Sequence, residues 1–321
     1  MDGTDRMTRR GLLGAGVSAG VAFVAAADAA EPNLRATPFY AAPQMTLPYR
    51  PLRAKSTDGT ELAVQDWGHA EGPEILFIHG VLQSHLSFER QVRSDLAERF
   101  RMVTYDLRGH GDSDKPIGRD RYLNGELWAD DLAAVIAQAG LRRPVVVGWS
   151  LGGLPIGNYL MKYGDARLAG LHFVDALTKR SRDYAGRPEY RGLLPATASP
   201  DLGTRIDALR GFLRACFKTQ PSEADFERML AFNAQVPQHV LSHIMAGVPL
   251  EADDAYRAVR VPVLVAHGAE DALLNVSITA FDRAVMPHAR LSIYQDCGHA
   301  PFHEMTERFN SELAAFVLQC Q

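Results

Sequence analysis

The chain alternates short apolar runs with longer segments in which apolar residues recur at helical spacing. Six runs predict strands, at 74–78, 102–105, 144–147, 171–174, 262–266 and 291–294, the last with alternating apolar and polar residues. Segments 84–100 and 124–139 predict amphipathic helices, and Asn124 is a suitable N-cap for the second. An Asp58-Gly59 turn between 52–56 and 61–67 predicts a β-hairpin. The alternation indicates an α/β fold, with a mostly parallel central sheet and helices on both faces.

Residues 177–259 interrupt this alternation. They contain three helix-like segments, at 202–217, 222–234 and 238–246, and no strong strand pattern. We predict a helical lid inserted into the fold, which would shape a substrate pocket and exclude water from it. Phe212 and Phe217 of this insertion are candidates for the pocket wall, and packing within the lid is the alternative for both. The predicted core then has two parts, 52–176 and 260–321.

The first 51 residues differ from the rest. A pair of arginines at 9–10, a small-residue apolar stretch at 12–27 and the sequence ADA at 27–29 predict a twin-arginine signal peptide over residues 1–29. Recurrent prolines predict an extended arm over 30–51. We therefore expect export by the twin-arginine route, to the periplasm or out of the cell. Acidic residues at positions 2 and 5 are unusual ahead of the arginine pair, which leaves Met7 as an alternative start to Met1.

Composition narrows the function further. The 321 residues carry a net charge of −4, with 22% charged and 46% hydrophobic residues, which is typical of a globular protein. No basic stripe is interleaved with aromatic residues, so a nucleic-acid partner is not expected. The N-terminal apolar run is too short and too rich in glycine and alanine for stable membrane insertion. The oligomeric state stays open.

Cysteine and histidine spacing gives little sign of a cofactor. Cys216, Cys297 and Cys320 are an odd number, so at least one is unpaired, and which pair could form a disulfide is left open. No Cys/His spacing resembles a zinc site, and we expect neither a metal nor a cofactor.

A candidate nucleophile follows the strand predicted at 144–147. Residues 148–152 read GWSLG and lead directly into a helix-like segment. A sharp strand-to-helix turn strains the backbone of its central residue and requires small neighbours. Such a turn would present the Ser150 hydroxyl beside a helix N-terminus, which stabilises developing negative charge.

Two further residues complete a catalytic order. Asp271 follows the strand predicted at 262–266, and His299 follows the strand predicted at 291–294. The carboxyl ends of parallel strands meet at one edge of a sheet, so these side chains can reach Ser150. The chain order nucleophile, acid, base distinguishes this arrangement from other serine triads. Glu270 and Asp175, which also follow strands, are alternative acids.

Several motifs together resemble the α/β-hydrolase superfamily. They read FIHGV at 77–81, YDLRGHGDS at 105–113, GWSLG at 148–152 and GHAPF at 298–302. The chain is similar, from Leu52 onward, to lid-bearing serine esterases and to the cofactor-free haloperoxidase-like group, whose members include perhydrolases. The resemblance favours Asp271 as the acid, because it stands three residues after Gly268.

The oxyanion of an acyl intermediate needs donors already aimed at it. The backbone N–H groups of Val81 and Leu151 are suitable, one at the end of a strand and one directly after the nucleophile. His79 and Trp149 are candidates for the substrate pocket. The alternative for His79 is to brace the oxyanion loop, and for Trp149 to pack beneath the nucleophile.

We therefore expect a serine hydrolase that cleaves a small or medium carboxylic ester through an acyl-enzyme on Ser150. Relatives that attack alkyl carbon, such as haloalkane dehalogenases, use a carboxylate at this position, so serine favours acyl chemistry. Perhydrolysis and hydrolytic carbon–carbon cleavage of a diketone use the same residues and stay open. A non-catalytic ligand-binding module is a further alternative. Substrate identity and chain length are not fixed by these motifs.

Overall fold

A computed structural model of the protein describes residues 48–321. The predicted signal peptide, both alternative starts and all but the last four residues of the predicted arm lie outside the described residues.

The described residues contain one eight-stranded sheet, in the order β1-β2-β4-β3-β5-β6-β7-β8. The strands are β1 Arg50–Lys55, β2 Glu61–Gly68, β3 Glu74–Ile78, β4 Arg101–Tyr105, β5 Val145–Trp149, β6 Gly170–Val174, β7 Val263–Gly268 and β8 Arg290–Tyr294. Strand β2 is antiparallel to both of its neighbours, and every other pair in this sheet is parallel. The predicted hairpin and the mostly parallel sheet are therefore confirmed.

Twelve α-helices lie within residues 48–321. They are α1 Glu89–Val92, α2 Asp120–Leu123, α3 Gly125–Gln138, α4 Gly153–Tyr163, α5 Leu193–Ala196, α6 Leu202–Ala215, α7 Glu223–Asn233, α8 Gln238–Met245, α9 Asp253–Ala258, α10 Ile278–Val285, α11 Pro301–Glu304 and α12 Thr306–Gln319. The Asn124 side chain accepts a hydrogen bond from the N–H of Glu126 and caps α3, as predicted. None of these helices is both long and apolar enough to cross a membrane.

The helix predicted over 84–100 is wrong. The structure has short 3-10 turns at His85–Phe88 and Asp95–Glu98 on either side of α1. The side chains of Ser84 and Ser94 each accept the N–H two residues on, and the Ser94 hydroxyl donates to the carbonyl of Gln91. These local bonds compete with a continuous helical ladder, so each serine starts a new turn.

Helices α5 to α9 lie between β6 and β7 in the chain, and no strand of the sheet lies between those two among the described residues. The three helices predicted at 202–217, 222–234 and 238–246 correspond to α6, α7 and α8.

The sheet brings distant parts of the sequence to one edge. Strands β3, β5, β6 and β7 are buried along their whole length, which explains their continuous apolar runs. Because β3, β5, β6, β7 and β8 run parallel, the loops after them all begin at the same edge. Those loops carry Val81, Ser150, Asp175, Asp271 and His299.

Candidate active site

Ser150 lies on a strained turn between β5 and α4. Its φ angle is +53°, a conformation that L-residues rarely adopt. A Cβ on Gly148 would come within 2.5 Å of the Ile156 side chain, and one on Gly152 within 2.5 Å of the carbonyl oxygen of Ile78. The backbone therefore needs glycine on both sides of the serine. Ser150 is partly exposed, whereas all of β5 before it is buried.

Asp271 and His299 are hydrogen-bonded. His299 Nδ1 lies 2.6 Å from Asp271 Oδ2, and both residues are buried. The other carboxylate oxygen, Oδ1, accepts the N–H groups of Leu273 and Leu274 at 2.7 and 3.0 Å. These two bonds hold the carboxylate in place beside the imidazole. Asp271 Oδ2 accepts a hydrogen bond from His299 Nδ1–H. The ring proton is therefore held on Nδ1, and Nε2 is left as the basic nitrogen.

The charges of this pair reinforce each other. Burial acts to raise the pKa of Asp271, but the charge of His299 and hydrogen bonds from histidines outweigh burial and hold the pKa well below its usual range. Burial acts to lower the pKa of His299, yet the negative charge of Asp271 and its hydrogen bond raise that pKa above its ordinary value. Asp271 is thus ionised near neutral pH and stabilises a proton on His299.

The alternative acids do not contact His299. Glu270 is partly exposed and forms an ion pair with Lys218. Asp175, with φ +41°, uses Oδ1 to accept the N–H of Gly268 at 2.8 Å, and its buried Oδ2 has no hydrogen-bond partner among the described residues. Of the three acids that the sequence offered, Asp271 is the one hydrogen-bonded to the imidazole.

Trp149 joins the turn of Ser150 to the loop of His299. Its indole N–H donates to the carbonyl oxygen of His299 at 2.7 Å, and the two rings are 5.7 Å apart. The N–H of His299 donates to the carbonyl of Cys216 at 3.0 Å. Trp149 is only 2% exposed, which favours the alternative that it packs beneath this loop.

The Ser150 hydroxyl is not hydrogen-bonded to His299 in this structure. Within residues 48–321, the hydrogen bond of the His299 ring is the one to Asp271, and Nε2 makes none. Contacts between nucleophile and base are commonly long without substrate and tighten when it binds.

The loop after β3 is braced by two neutral imidazoles. His79 Nδ1 donates to the carbonyl of Gly80 at 2.7 Å, and its Nε2 accepts the N–H of Leu107 at 3.0 Å. His110 Nε2 accepts the N–H of Leu82, which has a φ of +67°. Burial lowers the pKa of His79 to about 4 and that of His110 to about 3, so both rings stay neutral. His79 has no exposed surface, which favours the bracing role over a place in the pocket wall.

This loop passes directly over the nucleophile. A Cβ on Gly80 would lie 3.0 Å from Ser150 Cβ and 3.5 Å from Ser150 Oγ. The N–H of Val81 donates to no group among the described residues. The N–H of Leu151 belongs to the first turn after β5, where no intrahelical acceptor exists. Two amide donors that are unpartnered among residues 48–321 therefore follow Gly80 and Ser150 directly in the chain, and their use as an oxyanion site stays a prediction.

His267 is a buried residue of the site to which sequence reasoning gave no role. Its Nε2 lies 3.3 Å from Asp271 Oδ2, 3.6 Å from Asp175 Oδ1 and 3.1 Å from the carbonyl oxygen of Leu274. Burial acts to lower the pKa of His267, but the two carboxylates outweigh it and raise the pKa to about 9. Burial raises the pKa of Asp175 to about 7. The sequence feature that could have indicated a role is the position of His267, one residue before the end of β7 and close to the loop of Asp271.

Asp175, His267 and Asp271 offer atoms within 4.8 Å of one another, a spacing that a metal ion can use. Asp271 Oδ2, however, already takes the 2.6 Å bond from His299. A metal ion there would compete with the contact that orients the imidazole. We therefore assign the three side chains to one buried cluster of charged groups.

The two phenylalanines proposed for the pocket lie on different cavities. Phe212, on α6, lines a cavity of about 620 Å³ together with Ala272 and Leu273, which follow Asp271. Phe217 lines a smaller cavity of about 300 Å³ with Lys218 and Glu270. Phe212 thus borders the acid loop. The three cysteines, Cys216, Cys297 and Cys320, are all free and buried.

Comparison with known proteins agrees with this arrangement. The family profile of the alpha/beta hydrolase fold matches residues 73–306. A crystal structure of a protein assigned as an aryl esterase from Burkholderia cenocepacia is 40% identical, with a TM-score of 0.81 over 84% of this chain and 99% of that chain. The esterase RhEst1 from Rhodococcus sp. ECU1013 is 32% identical, with a TM-score of 0.78 over 84% and 99%.

A non-heme haloperoxidase from Rhodococcus erythropolis is 26% identical over 285 residues, which cover 82% of this chain and 97% of that protein. The family match, the sheet order and the strained serine turn agree with one another. The chain belongs to the α/β-hydrolase family.

Proposed function

We propose that the protein is a serine hydrolase that cleaves small or medium carboxylic esters through an acyl-enzyme on Ser150. The observation that carries this proposal is the 2.6 Å bond between His299 Nδ1 and Asp271 Oδ2, at the sheet edge where the strained turn presents Ser150. Similarity to two esterases supports the substrate class.

In the acylation half-reaction, Ser150 Oγ attacks the ester carbonyl and its proton passes to His299 Nε2. Asp271 stabilises the imidazolium that forms and keeps its proton on Nδ1. The N–H groups of Val81 and Leu151 stabilise the negative oxygen, each by roughly 3–4 kcal/mol in comparable sites. The ester C–O bond then breaks, and His299 returns the proton to the departing alcohol.

In the deacylation half-reaction, water takes the place of the alcohol. His299 Nε2 removes a proton from the water as its oxygen attacks the acyl carbon. Collapse of the second tetrahedral intermediate releases the carboxylic acid and restores the Ser150 hydroxyl. No cofactor takes part in either half-reaction.

Perhydrolysis is the second candidate, and similarity to a non-heme haloperoxidase favours it. Hydrogen peroxide would then attack the same acyl-enzyme, and a peracid would leave. The residues that form the acyl-enzyme are common to both reactions.

Two further proposals concern the chain around the site. The helices between β6 and β7 form a lid over the pocket, and residues 1–29 direct twin-arginine export to the periplasm or out of the cell. A reporter fused to the first 51 residues tests the second proposal. We expect the reporter to reach the periplasm and expect a lysine pair in place of Arg9-Arg10 to retain it in the cytoplasm; a reporter that stays in the cytoplasm with the native arginines would contradict the proposal.

A panel of 4-nitrophenyl esters from acetate to decanoate tests the main proposal, with Ser150→Ala as the matched control. We expect turnover that is highest for short or medium acyl chains and that is absent in the variant. A peracid assay with acetate and hydrogen peroxide, run in parallel, ranks perhydrolysis against hydrolysis. If no ester is cleaved, or if Ser150→Ala retains full turnover, the proposal is wrong.

A further inference from the structure

A cavity of about 620 Å³ lies beside the loop that follows Asp271, which we call the acid loop, and all of its charged lining residues are positive. Apolar side chains that include Leu194, Phe212 and Met245 form much of its wall. Three arginines also line it, Arg180, Arg182 and Arg191, and no acidic residue does so among the described residues.

None of these three arginines forms an ion pair with any residue in the 48–321 range. Arg187, which lies outside this cavity, differs because its guanidinium is 3.8 Å from the carboxylate of Glu270. Crowding by protein atoms lowers the pKa of Arg180, with no carboxylate to offset the effect. All three arginines are exposed at the cavity wall. The wall therefore carries three positive charges that no carboxylate within residues 48–321 neutralises.

Two of the guanidinium groups are held in position by the backbone. Arg180 Nη1 donates to the carbonyl of Val248 at 3.3 Å, and Arg191 Nε donates to the carbonyl of Gly186 at 2.8 Å. Their remaining N–H groups donate to no described residue. An arginine fixed by one bond, with further donors free, is prepared for a planar anion such as a carboxylate.

The cavity is fixed to the acid loop. Gly186 and Arg187 donate their N–H groups to the carbonyls of Leu273 and Ala272 at 3.1 and 2.9 Å. Leu273, a wall residue, donates its own N–H to Asp271 Oδ1 at 2.7 Å. The arginine-bearing segment and the residue that orients His299 therefore belong to one hydrogen-bonded unit.

We propose that this cavity binds a free carboxylate at the far end of the substrate, so that the preferred esters carry an apolar body and a second, ionised carboxyl group. The inference rests on the proposed ester hydrolysis and specifies its substrate class. Apolar walls suit the body of such a molecule, and the arginines suit its anionic end. The carboxylic acid product has the same chemistry and is the other possible source of this ligand.

Two esters of equal chain length test the proposal. Mono-4-nitrophenyl adipate ends in a carboxylate, and 4-nitrophenyl hexanoate ends in a methyl group. We expect the wild-type protein to show a kcat/KM at least about fivefold higher for the adipate, as one charge-assisted hydrogen bond can provide. The preference should shrink as salt is added, because exposed charges are screened.

Substitutions of single arginines test whether the adipate preference arises in this cavity. Arg180→Met and Arg191→Met should each lower the adipate-to-hexanoate ratio of kcat/KM, and Arg180→Lys should restore part of it. Arg210→Met is the matched control. Arg210 is an exposed arginine on α6 that has no ion pair within the described chain and does not line this cavity, so the ratio should stay at its wild-type value.

The outcomes separate the two proposals. If neither ester is hydrolysed, the proposed function fails. If the hexanoate is hydrolysed and the adipate is no better, or if the two methionine variants leave the ratio unchanged, the cavity is not a site for a carboxylate of the substrate and the hydrolase stands. If free hexanoate inhibits competitively, loses potency in Arg180→Met, and no adipate preference exists, the cavity binds product and the substrate class is wrong.

Discussion

Trp149 donates its indole N–H to the carbonyl oxygen of His299 at 2.7 Å, and so the residue before the nucleophile holds the loop of the base. The two loops follow strands β5 and β8, which are not neighbours in the sheet. The bond is buried and therefore costly to leave unmade. In the proposed hydrolase, this bond connects the turn that carries Ser150 to the loop that carries His299.

Trp149→Phe tests this link. The ring stays and packs against Phe302, which it now meets edge-on at 4.8 Å, but the carbonyl of His299 loses its donor. We expect a loss of about 1–3 kcal/mol in the free energy of unfolding and a fall in kcat, because the imidazole is less well held. Urea denaturation and ester kinetics measure both. An unchanged kcat would show that the base does not depend on this bond.

Asp271→Asn separates the proposed acid from its neighbours. The amide keeps the size of the carboxylate but cannot hold the His299 proton on Nδ1 or stabilise the imidazolium, so kcat should fall by roughly 10³–10⁴-fold. Glu270→Gln is the matched control, since Glu270 is partly exposed and pairs with Lys218. Its kcat should stay close to wild type. Equal losses in both variants would contradict the assignment.

Gly80→Ala tests the loop over the nucleophile. The added Cβ would lie 3.0 Å from Ser150 Cβ, so the loop that carries Val81 must move. We expect kcat to fall by at least about tenfold, as the loss of one oxyanion donor does in other hydrolases. Gly192→Ala is the control, because nothing lies within 4 Å of the Cβ that it adds. A fully active Gly80→Ala would argue against this placement of the donors.

His267 should make stability depend on pH. Its pKa is raised from 6.5 to about 9 in the folded protein. Below about pH 6.5 the folded and unfolded states both hold the proton, so the stabilising contribution is complete, and it is lost as pH rises through 9. The free energy of unfolding should fall by on the order of a few kcal/mol over this interval. His267→Gln should flatten the profile, whereas the surface variant His288→Gln should keep it.

The same variant should move the pH profile of catalysis. Protonated His267 lies 3.3 Å from Asp271 Oδ2 and lowers the pKa of His299 by repulsion. Removing that charge raises the pKa of the base. The acidic limb of kcat/KM should therefore shift to higher pH in His267→Gln. A limb that stays in place, or moves to lower pH, would contradict the role given to this cluster.

The sequence predicted the parts of the molecule that local patterns determine. The strands around β5 follow from apolar runs, and the strained turn follows from GWSLG. The placement of the Ser150, Asp271 and His299 loops at one edge of the sheet was predictable because parallel strands end at the same edge.

Features that depend on packing between distant residues were not predicted. Burial decides that His79 braces a loop, and the tertiary fold places His267 between two carboxylates. The arginine-lined cavity combines residues from the segment after β6, from α6 and α8, and from the loop after β7. The prediction of a helix at 84–100 was wrong because the side chains of Ser84 and Ser94 form local hydrogen bonds that the apolar pattern does not reveal.

Labelling with a fluorophosphonate, followed by mass spectrometry of the peptides, tests the activation of Ser150 most directly. We expect one adduct, on Ser150, that forms quickly in the wild-type protein and is strongly reduced in His299→Ala. An adduct on a different residue, or one on Ser150 that forms equally fast without the imidazole of His299, would contradict this expectation.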